Sequence, residues 1–121
     1  MPKCEIMEES KWKDFNINVY GSDYKVRFVE GVETEDGFAF GEHIRETNTI
    51  VIAVKDSNGN AISDYEIQVT LCHELVHAIL GCMGFNKANE DEALVECLGR
   101  GILSFIKQGL YGHLQIKTSE K

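Results

Sequence analysis

Two histidines four residues apart, His73 and His77, constrain this chain more than any other feature. Each helical residue turns by about 100°, so positions four apart share a face and neighbours do not. A helix through His73-Glu74-Leu75-Val76-His77 therefore sets both imidazoles side by side, with Glu74 at the rim of the same patch. H-E-x-x-H is the zinc-hydrolase pattern, in which the histidines hold one ion and the glutamate is the general base toward a metal-activated water. A surface helix with two hydrogen-bonded histidines would read the same in isolation, so the flanking sequence has to decide.

The 121 residues suit one domain over 1–121 with a real core, carrying an N-terminal arm (1–14) and a C-terminal tail (110–121). A formal charge of −8 argues against nucleic acid or an anionic membrane as partner. No apolar run approaches membrane-spanning length. Met1-Pro2-Lys3-Cys4-Glu5 leads into charge, so no signal peptide and a cytoplasmic location are expected. Cys4, Cys72, Cys82 and Cys97 form no CxxC pair and read as reduced thiols. Cys72 and Cys82 are zinc ligands in principle, but Cys72, next to His73, would point to another helix face.

Lys11-Trp12-Lys13-Asp14 reads as a short helix or an arm, with Trp12 as a packing residue. From Phe15 the pattern has period two: Phe15, Ile17 and Val19, a turn at Gly21-Ser22-Asp23, then Tyr24, Val26 and Phe28, which predicts a hairpin. A polar loop (33–37) precedes a third strand at Phe38-Ala39-Phe40, and 41–48 reads as irregular. Thr49-Ile50-Val51-Ile52-Ala53-Val54 is apolar on both faces and reads as a buried strand near the helices. After the turn at Asp56-Ser57-Asn58-Gly59-Asn60, Ser63 or Asp64 caps a helix that runs to about Gly81. Asn89-Glu90-Asp91-Glu92 opens a second long helix to about Gln108. Ala93, Leu94, Cys97, Leu98, Ile102, Phe105 and Ile106 are its expected core stripe. Gly99 and Gly101 are costly inside a helix and suggest close approach of another one. Beyond Tyr111 a mobile polar tail is expected. Strands first and helices second make the class α+β.

A catalytic zinc site takes three protein ligands and leaves a position open. The pattern with a third histidine six residues past the second fails, because that position is Met83. Glu90, Glu92 and Glu96 are available on the second helix. Glu92 and Glu96 are four apart and share a face, which suits a ligand and an outer carboxylate that holds a histidine Nδ1–H. Glu92 is the favoured ligand, and Glu96 the outer partner or the alternative ligand. His43 and His113 are remoter candidates. Glu92 could instead cap its helix with Asn89, and Glu96 could merely pair with Arg100.

Residues 48–106 resemble the small zincin metallopeptidases of the ImmA/IrrE type, including phage and prophage versions. The matching runs are Asn48-Thr49-Ile50-Val51-Ile52, His73-Glu74-Leu75-Val76-His77-Ala78-Ile79-Leu80 and Glu92-Ala93-Leu94-Val95-Glu96-Cys97-Leu98-Gly99. The resemblance implies His73, His77 and Glu92 as zinc ligands and Glu74 as the catalytic glutamate. Where the family usually has Asn four residues after the ligand, this chain has Glu96, which leans toward a thermolysin-like outer carboxylate. A minimal zincin-like fold is expected, with a mostly antiparallel N-terminal sheet packed on the H-E-x-x-H helix and a second long helix.

The function expected is that of a zinc-dependent peptidase acting on a peptide or protein substrate, with a regulatory protein partner among the expectations; the resemblance implies intracellular proteolysis, in some relatives of a regulatory protein. The rival is a non-catalytic, zinc-stabilised protein-binding module. The strand at 49–54 is expected to align an extended peptide by edge pairing. Tyr65, Tyr111, His113 and Arg45 are the candidates to stabilise an oxyanion.

Overall fold

The computed structural model describes residues 11–116. Its first unit is the expected hairpin, β1 (Phe15–Val19) against β2 (Ser22–Val29), antiparallel with Phe15 opposite Val26 and Val19 opposite Ser22. The turn sits earlier than expected, at Tyr20 and Gly21, with φ of 50° and 90°. Two positive φ values in a two-residue loop match the right-handed strand twist. Ser22 and Asp23 therefore belong to β2 rather than to the turn. Trp12 packs its ring 5.4 Å from that of Phe28, and the Asp14 carboxylate accepts the Phe28 N–H. The rest of the expected arm, 1–10, lies outside the described residues.

Residues 33–37 are not simply a loop. β3 (Val32–Thr34) and β4 (Gly37–Ala39) form a small separate ladder, with the turn confined to Glu35 and Asp36. The expected irregular segment after Gly41 is also corrected: β5 (Gly41–Ile44) is a strand, followed by a 3-10 turn at Arg45–Thr47. β6 (Thr49–Ala53) pairs in parallel with β2 and antiparallel with β5, giving the order β1-β2-β6-β5. Two of the three pairings are antiparallel, and the class is α+β. Both sides of β6 are thus occupied, and the edge strand is β5. The edge pairing expected of residues 49–54 is not available to them.

α1 (Asp64–Cys82) is capped by Ser63, whose hydroxyl accepts the Glu66 N–H at 3.2 Å. Its Ile67 and Ala78 join Val26, Ile50 and Ile52 in the core, with Leu71, Leu75 and Ile79 packed around them. Full burial of each large aliphatic side chain stabilises the fold by about 1.5–3 kcal/mol. A single turn, α2 (Asn86–Asn89), leads to α3 (Glu92–Lys107), whose N-cap is Asp91, accepting the Leu94 N–H. α3 runs antiparallel to α1: Lys107 reaches Gln68 at one end, and Glu92 reaches His77 at the other.

The face that α3 turns inward is Val95, Gly99 and Leu103. The expected core stripe is therefore wrong. Leu94, Leu98, Ile102, Phe105 and Ile106 are all exposed. The cause is Gly99: a Cβ there would lie 3.1 Å from the His73 backbone nitrogen and 3.2 Å from its Cα, a crowding against backbone that glycine avoids. Gly101 meets nothing within 4 Å and plays no such part. The expected tail forms a short helix, α4 (Leu110–Leu114), and its last residues, 117–121, lie outside the description. No helix among the described residues is long and apolar enough to cross a membrane.

Candidate metal centre

On α1, His73 and His77 project side by side, ring centroids 4.9 Å apart and nearly edge-to-face at 70°. Across from them Glu92, in the first turn of α3, points one carboxylate oxygen at both rings: 3.0 Å to Nε2 of His73 and 3.4 Å to Nε2 of His77. One atom from each of these three residues lies within 4.8 Å of the others, a grouping that could hold a metal ion. Asp91 caps α3, so the Glu92 carboxylate is not used as a helix cap.

The opposite ring nitrogens are each held. Nδ1 of His73 is 2.8 Å from Oε1 of Glu96, and Nδ1 of His77 is 2.6 Å from Oδ1 of Asn89. Both partners are oxygens, so both Nδ1 atoms donate, and both Nε2 atoms turn toward Glu92. A cation, either a proton on Nε2 or a metal ion bound by the three atoms, is what holds two ring nitrogens and a carboxylate oxygen together. This donor set, two imidazoles and one carboxylate with fixed outer hydrogen bonds, is one that could hold a metal ion.

Glu96 is itself held: Nε of Arg100 donates to its second oxygen at 2.6 Å. Burial raises its carboxyl pKa, but the hydrogen bonds from His73 and Arg100 outweigh this and hold it below the ordinary glutamate value. The pairing of Glu96 with Arg100 and its contact with His73 therefore coexist, where the sequence posed them as alternatives. Asn89 is the residue that sequence reasoning missed. The sequence reads as a helix start there, yet Asn89 ends α2 and orients His77.

Glu74 lies beside the histidines and is 7% exposed, the one buried charged residue among those described. Burial pushes its carboxyl pKa up, the nearby histidines pull it back, and the Glu92 and Glu42 charges push it up again. The wall next to it is Gly41 of β5, where a Cβ would stand 2.6 Å from a Thr70 methyl and 3.2 Å from a Glu74 oxygen. Glycine at this position lets the edge strand lie against the H-E-x-x-H helix.

Gly41, His73 and Glu74 are shared by two hollows. One, of about 420 Å³, is also lined by Glu42, His43, Arg45 and Asn89. The other, of about 370 Å³, is also lined by Phe40, Thr70, Glu96 and Arg100. Together they run along β5. The N–H of Ala53 bonds the Phe40 carbonyl, so ladder alternation turns the backbone groups of Gly41 and His43 to the open edge. His43 stands in the cleft wall with its Nε2 3.3 Å from the Tyr24 hydroxyl. Burial, then His77 and Arg45, lowers its pKa.

Of the four side chains considered for an oxyanion, Arg45 lines the cleft. Tyr65 bonds Arg100, Tyr111 is on α4, and His113 lines a separate hollow with Phe105. His113 is thus not brought to the metal residues. Comparison with known protein families, curated proteins and solved structures finds no match for this chain.

Proposed function

We propose that this chain is a zinc-dependent peptidase with a minimal zincin-like fold, similar to the small ImmA/IrrE-type enzymes. The observation that carries the reading is the convergence of His73, His77 and Glu92 beside a buried Glu74. Zinc held by these three residues would act as a Lewis acid on a peptide carbonyl and lower the pKa of water. Glu96 and Asn89 fix the two imidazoles in the ligating tautomer. Glu74 takes the proton of the attacking water and returns it to the leaving amine. Its burial favours that exchange, because a raised carboxyl pKa lies closer to working pH.

The free edge of β5 supports a peptide substrate. An extended chain can pair with the backbone of Gly41 and His43 and pass directly over His73 and Glu74. Arg45, the one permanently cationic group in that wall, faces the charge that develops on the carbonyl oxygen.

The test uses a peptide library, with new termini read by mass spectrometry. Zinc-loaded wild type should cleave, and Glu74→Gln should bind zinc equally well yet lose about 10²–10⁴-fold in rate. Less than one zinc per chain after metal addition, or undiminished cleavage by Glu74→Gln, would overturn the reading. Stoichiometric zinc without cleavage would favour the binding module instead.

A further inference from the structure

α3 has an apolar flank with no use in the fold described above. Leu94 is 37% exposed, Leu98 42%, Ile102 40%, Phe105 58% and Ile106 41%. At about 100° per residue these five fall within an arc of about 120°. The stripe continues past the end of α3, because Phe105 and Leu110 line one hollow of about 160 Å³. Arg100, Ser104 and Lys107 lie on the other side of the helix. Six half-exposed side chains of this kind present roughly 450 Å² of apolar surface, which matches the apolar share of one ~800 Å² side of a standard interface.

We propose that this stripe binds a second copy of the chain, α3 packing antiparallel on α3 about a two-fold axis near Ile102. A straight stripe on one helix is self-complementary under such an axis. Charge favours the antiparallel sense. Glu90, Asp91 and Glu92 crowd the start of α3. Antiparallel pairing keeps the two acidic ends apart and opposes the helix dipoles, whereas parallel pairing sets acid on acid. The net charge of −8 on each copy works against association, so the dimer is weak at low salt and tightens as salt screens that repulsion.

Sedimentation equilibrium on the whole chain, from about 1 to 200 µM and at about 50 and 500 mM NaCl, tests this directly. A reversible dimer that strengthens with salt is the expected result. Ile102→Glu and Phe105→Glu should each weaken it on the order of 100-fold. Ser104→Glu, on the other side of the helix, should leave it intact. Zinc titration and circular dichroism check that the variants fold, and the wild-type series decides even if one does not. A chain that stays monomeric throughout, or a dimer that survives both stripe substitutions, overturns the proposal.

Discussion

The face of α3 that meets α1 carries Val95, Gly99 and Leu103, with the carboxylates of Glu92 and Glu96 toward its start. Its exposed flank carries Leu94, Leu98, Ile102, Phe105 and Ile106, which are larger and more apolar. Hydrophobicity alone therefore picks the wrong side. What orients this helix is backbone approach at Gly99 together with polar contacts to the histidines: the site, more than apolar volume, decides which way the helix lies.

Glu92→Gln would break that account most severely. It should leave α3 capped by Asp91 yet weaken zinc binding more than ~100-fold, beyond the 10–100-fold typical of an outer partner. Chelator competition measures it. Glu96→Gln, in the same titration, should lose no more than that outer-partner range and still saturate. If the two variants trade places, the carboxylates have been assigned the wrong way round.

Gly99→Val should cost about 2–3 kcal/mol by forcing a side chain onto the α1 backbone at His73, and should lower zinc affinity as well. Denaturant melts of the metal-free protein give the first number. Gly101→Ala is the counterpart. With nothing within 4 Å of the new methyl, it should stabilise by about 0.5–1 kcal/mol. Equal effects at the two glycines would dissolve the contrast between the faces.

The smallest effect is one of pH. Glu96 titrates below its ordinary value, so its contribution is present above the unfolded glutamate pKa of about 4.3 and is lost as pH falls through the folded value. Metal-free wild type should therefore lose more stability than Glu96→Gln between about pH 5 and 3. Parallel melts across that range would show it.

Much of this was legible in the sequence. Ser63, the helical spacing of His73 and His77, and Ile67 through Ala78 mark α1 plainly, because cap, period and motif agree. The hairpin was legible through its period-two alternation. β5 was not, since Gly41-Glu42-His43 is poor strand material by composition and pairs along one side only. The orientation of α3 was hidden because Gly99, which decides it, has no side chain for a periodicity argument to count. Asn89 was hidden because its contact with His77 depends on a one-turn helix that no local pattern announces.

The parallel pairing of β2 with β6 has a consequence for how the molecule assembles. Lys25 aligns with Thr49 and Val29 with Ala53, so this ladder cannot form until the two strands and the intervening small hairpin have closed a large loop. The contacts of the candidate site close loops of similar size: His77 and Glu92 are 15 residues apart and His73 and Glu96 23, against 24 for every pair in the β2–β6 ladder. Closure entropy grows only slowly with loop length, so chain connectivity gives neither half a head start. Refolding in the presence of zinc should therefore show ion capture and sheet closure in one kinetic phase, so that the cleft gains its floor and its wall together.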